Sequence, residues 1–334
     1  MTRLRDQVVV ITGAGNGLGR EMARQFAARG AKLVLADENE VALPELVTEL
    51  VDQEVRVAQR VTDMADATQV DALAELAVSR FGQIDCWINN AAVSVYGDFL
   101  TVPPEEFRRV IEVNLFGYAQ GLRTAAAHMG ARGGTIICIT SNVVFRAIPL
   151  QAAYCASKAA IAALVDATRV ELRRAGIPIA LCQVMPVGID TPMFNESRSR
   201  TGFHPRPTGQ ILDPSRVAAA VVRCAEHPQR EVPVGSQAAL LKWANALFPA
   251  LVDRYMAAIT YPDQMTDEPM SPDVPSDLFG SPHLPGRTRG GWPGSRSSPY
   301  TWVKQHRGLV WGGAAVAALA WSRWRLGRRD ATAG

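Results

Sequence analysis

Hydrophobic and polar positions follow two alternating patterns along the first 235 residues of the chain. Short apolar runs rich in β-branched residues have the length and composition of buried strands. Between them lie longer stretches with apolar residues at three- and four-residue spacing, which predict amphipathic helices. The predicted strands are Gln7–Ile11, Leu33–Ala36, Glu54–Gln59, Ile84–Ile88, Thr135–Ile139, Ile179–Val184 and Glu231–Val234.

This alternation predicts an α/β fold. A strand, a helix and a second strand form a right-handed crossover, and successive crossovers give a parallel sheet. Most of these strands are mainly apolar, so helices are expected on both faces of the sheet. We therefore predict a doubly wound, seven-stranded parallel sheet, followed by a C-terminal helical extension and a flexible tail.

The composition divides the chain into three parts. Residues 1–259 are predicted to hold the sheet and a last amphipathic helix, Gln237–Ile259, which breaks or kinks at Pro249. Residues 260–300 are rich in proline, glycine and serine, which is typical of a flexible linker. Residues 301–334 form a basic tail that contains several tryptophans.

The apolar centre of the tail is short. Leu309–Trp321 would form a helix of about 20 Å, whereas a hydrocarbon core is about 30 Å thick. Arginines and tryptophans flank it, and this favours a helix that lies on an anionic membrane surface over one that crosses it. Two alternatives remain open for the tail: a helix that docks on the protein itself or on a partner, and a disordered segment. The predicted location is the cytoplasm, at the inner face of the membrane if the tail binds there.

Composition and charge exclude several classes. Hydrophobic residues make up 48% of the chain, which excludes global disorder, and a net charge of +3 gives no nucleic-acid-binding signature. The cysteine number is odd and no C-x-x-C motif occurs. We therefore expect reduced thiols and no metal site. The five cysteines are Cys86, Cys138, Cys155, Cys182 and Cys224.

Two stretches carry candidate chemistry. Tyr154 and Lys158 are four residues apart and share one face of a predicted helix, where a lysine cation would favour the phenolate form of the tyrosine. An ordinary amphipathic helix face is the alternative. Gly13–Gly19 joins the first strand to the first helix, where glycines allow a close approach to a pyrophosphate. Asp37, at the end of the second strand, could bind both ribose hydroxyls and repel a 2′-phosphate, which favours NAD over NADP.

Several motifs together resemble the short-chain dehydrogenase/reductase family over about residues 5–235. They are Thr12-Gly-x-x-x-Gly-x-Gly19, Asn89-Asn90-Ala91-Ala92, Asn114, Ser141 and Tyr154-x-x-x-Lys158. The resemblance implies a Rossmann sheet, a nicotinamide cofactor, a small alcohol or ketone substrate, and a homodimer or homotetramer. One departure is Val187, which stands between Pro186 and Gly188 where the family commonly has Pro-Gly.

The resemblance also assigns roles to residues. Tyr154 would be the general acid/base, Lys158 would lower its pKa, Ser141 would bind the substrate oxygen and Asn114 would hold a relay water. The cofactor-binding residues that it implies are Thr12, Gly13, Gly15, Asn16, Gly17, Leu18, Gly19, Asp37, Asp63, Asn89, Ala91, Tyr154, Lys158, Ile189 and Thr191.

The sequence therefore predicts an NAD-preferring oxidoreductase that interconverts a secondary alcohol and a ketone. Two rivals remain: an NADP-dependent carbonyl reductase, and a non-catalytic nucleotide-binding scaffold tethered by its tail. The identity of the substrate and the direction of the reaction are left open.

Overall fold

The computed structural model describes residues 4–236, 243–271 and 274–293. Its seven-stranded parallel sheet confirms the predicted architecture. The strands are β1 Val8–Thr12, β2 Lys32–Asp37, β3 Val57–Val61, β4 Cys86–Asn89, β5 Val95–Tyr96, β6 Gly134–Ile139, β7 Ile179–Pro186, β8 Gly188–Ile189, β9 Arg198–Ser199, β10 Phe203–Pro205, β11 Ile211–Leu212, β12 Glu231–Val234 and β13 Met265–Pro269.

Helices connect the strands, and two π-helical turns, Glu112–Phe116 and Met256–Thr260, interrupt the helical segments. The Asp66 side chain accepts hydrogen bonds from the amides of Thr68 and Gln69 in the first turn of the third helix. That helix ends at Gly82, whose φ is 83°. The helices are α1 Gly17–Ala27, α2 Ala42–Val51, α3 Ala67–Phe81, α4 Pro104–Ile111, α5 Gly117–Met129, α6 Ala152–Arg174, α7 Met193–Glu196, α8 Pro214–Glu226, α9 Pro249–Tyr255 and α10 Tyr261–Asp263.

The order of the strands determines where a ligand can bind. The main sheet runs β12-β7-β6-β4-β1-β2-β3, so the chain reverses its direction of travel between β1 and β4. One face packs against α1, α2 and α8, and the other against α3, α5 and α6. In such a sheet, a crevice opens beyond the carboxyl ends of the strands at the reversal. Many of the predicted site residues follow those strand ends, whereas Asn114, Tyr154 and Lys158 lie on helical segments.

The described part of the predicted last helix, Gln237–Ile259, is broken at Pro249, as the sequence predicts. Residues 243–247 are helical, and Phe248 interrupts the helix directly before Pro249, which begins α9. Residues 237–242 and the predicted tail helix lie outside the described residues. No helix in the described ranges is long and apolar enough to cross a membrane. Those ranges also contain no cluster of side chains suited to a metal ion.

The predicted flexible linker, over its described part, packs against the sheet domain. Leu278 is fully buried, and its carbonyl accepts a hydrogen bond from Arg109 Nε at 2.9 Å. The Leu284 carbonyl accepts one from Asn39 Nδ2 at 3.0 Å. Proline and glycine disfavour regular structure, but the main-chain groups of such a segment can still bond elsewhere in the protein, as β13 does with β10. Composition alone could not reveal these long-range partners.

Candidate active site

A cavity of about 290 Å³ lies at the carboxyl ends of β1, β2, β4, β6 and β7. The loops after these strands supply most of its lining. The structure thereby brings together residues that are far apart in the sequence. Of the predicted site residues, those that line the cavity are Gly13, Asn16, Gly17, Leu18, Asp37, Asp63, Ala91, Ser141, Tyr154, Lys158, Ile189 and Thr191.

The glycine-rich loop passes close to the backbone of its neighbours. Gly13 has φ of +65°, and a Cβ there would lie 2.7 Å from Ala91 Cα. A Cβ at Gly19 would lie only 1.8 Å from the Gly13 carbonyl oxygen. Both positions therefore require glycine. The Thr12 hydroxyl accepts the amides of Asn90 at 3.0 Å and Ala91 at 3.2 Å, which ties the loop after β1 to the loop after β4.

Asp37 fixes the same loop from the end of β2. Its Oδ2 accepts the Gly15 amide at 2.7 Å, and its Oδ1 accepts the Asn39 amide at 2.9 Å. Burial raises the pKa of Asp37, whereas these amide hydrogen bonds oppose that rise. The remaining lone pairs of the carboxylate can accept ribose hydroxyls, and the start of α1 suits a pyrophosphate. These groups fit a dinucleotide.

The ion pairs near Asp37 include Glu38, the next residue along the chain, and Arg109, which was missed by sequence reasoning. Arg109 Nη2 lies 3.0 Å from Asp63 Oδ2 and 3.7 Å from Glu38 Oε2, so it neutralises part of the acidic charge at this end of the cavity. Burial raises the pKa of Glu38 to about 7, and Arg109 opposes this shift. Arg109 lies in α4, far from β2 and β3 in the sequence, and no local pattern could pair it with these acids.

Lys158 is 1% exposed and lies beneath the cavity floor. Its Nζ donates to the Ile139 carbonyl at 2.9 Å and to Tyr118 Oη at 3.2 Å. Nζ also lies 4.7 Å from the centroid of the Tyr118 ring and 5.5 Å from that of Tyr154. Burial lowers the pKa of Lys158 to about 7. The amine can therefore change charge near neutrality.

Tyr154 is held between Lys158 and Ser141. Burial raises the pKa of the Tyr154 phenol, and a hydrogen bond with the Ser141 side chain opposes this rise. Ser141 also accepts the Val143 amide at 3.3 Å and caps a short 3-10 turn, Asn142–Val144. The strand end at β6 and the first turn of α6 thus present one hydroxyl and one phenol to the same cavity.

Asn114 lies in the π-helical turn between α4 and α5, and it is fully buried. Its Oδ1 accepts the Val93 amide at 2.9 Å, and its Nδ2 donates to the Val93 carbonyl at 3.0 Å and to Ser157 Oγ at 3.1 Å. These bonds join the loop after β4 to α6. The side chain that bonds directly to Lys158 is that of Tyr118, four residues after Asn114. Sequence reasoning missed Tyr118.

Asn89 takes a position behind the cavity. Its Oδ1 accepts Trp87 Nε1 at 2.8 Å, and its Nδ2 donates to the Tyr118 carbonyl at 3.3 Å. The next residue, Asn90, lines the cavity instead. Val187 continues the pairing of β7 with β12, because its amide donates to the Val234 carbonyl at 3.0 Å. The extra residue before Gly188 is therefore accommodated within the sheet edge.

Comparison with known proteins agrees with this geometry. The sequence model of short chain dehydrogenases matches residues 7–202. The chain is 35% identical to "Uncharacterized oxidoreductase YxnA" of Bacillus subtilis (strain 168), over 96% of this chain and 91% of YxnA. It is 34% identical to 3-beta-hydroxysteroid dehydrogenase of Comamonas testosteroni, over 58% of this chain and 76% of that protein.

A solved structure extends the likeness to the fold. A short chain dehydrogenase/reductase from Burkholderia phymatum, in complex with NAD, is 28% identical and has a TM-score of 0.65. The match covers 81% of this chain and 100% of that one. Together, the family match, the relatives and the shared sheet establish that this chain belongs to the short chain dehydrogenase/reductase family of oxidoreductases.

Proposed function

We propose that this protein is an NAD-dependent oxidoreductase that interconverts a secondary alcohol and a ketone. The observation that carries the proposal is the group of Ser141, Tyr154 and Lys158 that lines one crevice with the glycine-rich loop, with Ser141 and Lys158 buried. A bound nicotinamide would supply the hydride chemistry, and the protein would supply proton transfer and alignment.

The roles of the three residues follow from their chemistry. The Ser141 hydroxyl can donate to the substrate oxygen and hold it beside the Tyr154 phenol. Tyr154 then acts as the general acid in ketone reduction and as the general base in alcohol oxidation. A charged Lys158 beneath the ring favours the phenolate and so opposes the effect of burial on the pKa of Tyr154.

The acidic groups at the adenosine end support NAD over NADP. Asp37 and Glu38 both line the cavity there, and they would repel a 2′-phosphate. The nearby cation, Arg109, is already paired with Asp63 and Glu38. The Burkholderia phymatum relative, which was solved with NAD, supports the same choice. These observations therefore favour the NAD-dependent enzyme over the alternative, an NADP-dependent carbonyl reductase.

The lining near Tyr154 supports a partly apolar substrate. Apolar side chains on the loops after β6 and β7 contribute to the wall. Arg198 and Arg200 both pair with the buried Glu106, so these cations are engaged within the protein. This favours an uncharged alcohol or ketone over an anionic substrate. The apolar lining residues are Tyr96, Val143, Ile148, Met193 and Phe194.

A substrate panel tests the proposal. The full chain is assayed with NAD and secondary alcohols, and with NADH and ketones of increasing apolar size, by following NADH absorbance. NADP(H) is run in parallel. Turnover that is faster with NAD(H) supports the proposal, and faster turnover with NADP(H) supports the carbonyl reductase. Measurable NADH binding without turnover of any compound would favour a nucleotide-binding scaffold.

We also propose a homodimer or homotetramer in the cytoplasm. Phe116, next to α5, and Val170 of α6 are 61% and 69% exposed, and buried contacts between copies would cover these apolar side chains. Light scattering should give a dimer or tetramer mass, and Phe116→Asp should lower it. A monomeric native chain would reject this assembly.

A membrane-surface role for residues 301–329 remains a proposal. Besides the basic, tryptophan-containing sequence of the tail, an exposed apolar stripe supports contact with lipid. Pelleting with anionic vesicles should be stronger for the full chain than for a chain that ends at residue 293. Equal pelleting would reject the role. The stripe comprises Trp243, Leu247, Phe248, Leu251, Tyr255 and Ile259.

A further inference from the structure

Residues 277–292, which we call the strap, cross the mouth of the crevice. The strap touches the loops after β1 and β2, runs over the start of α1 and continues to the loop after β7. Three of its residues, Asp277, Ser281 and Pro282, line the same cavity as Tyr154 and the glycine-rich loop. The strap therefore forms one wall of the crevice.

The centre of the strap binds the glycine-rich loop directly. The Arg287 amide donates to Asn16 Oδ1 at 2.8 Å, and the Gly17 amide donates to the Arg287 carbonyl at 2.8 Å. Gly286 lies so close that a Cβ would stand 2.8 Å from the Gly15 carbonyl oxygen. These contacts fix the strap on the loop that is expected to hold the pyrophosphate.

The C-terminal end of the strap is anchored on the opposite side of the crevice. Asp190 Oδ1 accepts the amides of Gly290 at 3.0 Å and Trp292 at 2.8 Å. Arg289 forms an ion pair with Asp213 at 2.8 Å. The Trp292 ring meets the Phe194 ring edge-to-face, with the centroids 6.4 Å apart. The strap therefore spans both the adenosine side and the nicotinamide side.

The N-terminal end of the strap offers an unsatisfied group to the cavity. Asp277 donates its amide to the Glu196 carbonyl at 3.0 Å, but its buried Oδ1 has no hydrogen-bond partner within the described chain. Leaving such an oxygen unpaired is unfavourable, and a hydroxyl or amino group of a ligand would relieve this. A bound molecule would therefore contact the strap as well as the loop.

We propose that the strap belongs to the dinucleotide site and retains the bound cofactor, which can exchange only when the strap lifts. This rests on the proposed function, because it assumes that a nicotinamide dinucleotide occupies the crevice. The strap lies directly on the glycine-rich loop, residues of both line one cavity, and the strap is also anchored at Asp190 on the other side of that cavity. Ligand and strap should therefore stabilise each other.

Hydrogen exchange of the full chain, with and without NADH, tests the coupling. The amides of Gly286, Arg287, Gly290 and Trp292 are all hydrogen-bonded in the closed position. Saturating NADH should slow their exchange by at least about tenfold. Unchanged or faster exchange would overturn the proposal, and faster exchange would mean that the strap competes with the cofactor.

Dissociation kinetics provide a second test. NADH is chased from the protein and its fluorescence is followed in wild type and in three variants. Arg287→Ala/Arg289→Ala removes the ion pairs to Glu196 and Asp213, and Gly286→Val introduces a clash. The control is Arg173→Ala/Arg174→Ala, at two exposed arginines in the last turn of α6, outside the strap. The first two should release NADH at least about tenfold faster, and the control should match wild type.

The two failures are distinguishable. If wild type does not bind NADH, the proposed function fails before the strap is tested. If wild type binds NADH and both strap variants release it at the wild-type rate, only the strap proposal is overturned. Arg287→Ala/Arg289→Ala introduces no clash, so it keeps the test valid if Gly286→Val does not fold.

Discussion

The Tyr118 hydroxyl accepts a hydrogen bond from the Lys158 amine, on which the proposed chemistry of Tyr154 depends. A phenylalanine at this position removes that hydroxyl and keeps the ring. In Tyr118→Phe, Lys158 Nζ loses the acceptor oxygen that lies 3.2 Å away. The ring, which lies 4.7 Å from Nζ, and the Ile139 carbonyl remain. The change also removes the hydrogen bond that the Tyr118 hydroxyl donates to the Ile139 carbonyl at 3.0 Å, but the buried amine itself loses only the one bond to Tyr118 Oη.

The size of the effect follows from that bond. Hydrogen bonds to charged groups contribute about 1.5–3 kcal/mol, and one pKa unit corresponds to about 1.4 kcal/mol. Burial already lowers the pKa of Lys158 to about 7. Loss of the Tyr118 oxygen destabilises the charged amine further, so the pKa of Lys158 should fall by about one more unit.

The assay is the pH dependence of kcat/KM for ketone reduction. Reduction needs the protonated tyrosine–lysine pair, so the rate should fall as the pH rises through the apparent pKa of the pair. In Tyr118→Phe, this alkaline limb of the kcat/KM profile should shift by about one pH unit towards lower pH. Tyr255→Phe, at a residue that is 55% exposed, is the matched control. A limb that stays in place, or that moves to higher pH, would refute the assigned role of Tyr118.

Three further predictions concern stability, cofactor choice and substrate binding. Because burial lowers the pKa of Lys158, charging this amine destabilises the folded state below about pH 7, and the penalty disappears as the pH rises towards the ordinary lysine pKa. Lys158→Met should therefore abolish turnover but raise the free energy of unfolding at pH 6 by about 1–2 kcal/mol; equal stability at pH 6 would reject this. Asp37→Ser/Glu38→Arg should raise the NADPH-to-NADH ratio of kcat/KM by at least about tenfold, and an unchanged ratio would reject the acidic discrimination. Ser141→Ala should lower kcat for ketone reduction by about 10²-fold with little change in NADH affinity, and a loss confined to NADH affinity would contradict its contact with substrate.

The fold could be predicted because its signals are local. Most strands of the sheet are short apolar runs, and each helix has its own periodicity, as in β1 followed by Gly13–Gly19 and α1. Parallel crossovers then leave few possible topologies. The same rule predicts that residues at strand ends, such as Asp37 and Ser141, meet at one crevice.

The parts that sequence reasoning missed depend on contacts between distant segments. Tyr118 reaches Lys158 from another helix, and Arg109 reaches Asp63 from α4. Which of two adjacent asparagines faces the cavity depends on the register of β4, whose end turns Asn89 inwards. The strap was missed for a similar reason, since its order comes from main-chain bonds to Asn16 and Asp190 rather than from its own composition.

The central claim is that Tyr154 transfers the proton, and Tyr154→Phe tests it most directly. The ring stays in place while the reactive hydroxyl is lost, so turnover and NADH affinity can be measured on the same preparation. In Tyr154→Phe, kcat should fall by at least about 10²-fold while the NADH Kd stays within about twofold of wild type. Tyr255→Phe should retain both values. Turnover of Tyr154→Phe close to that of wild type would contradict the account.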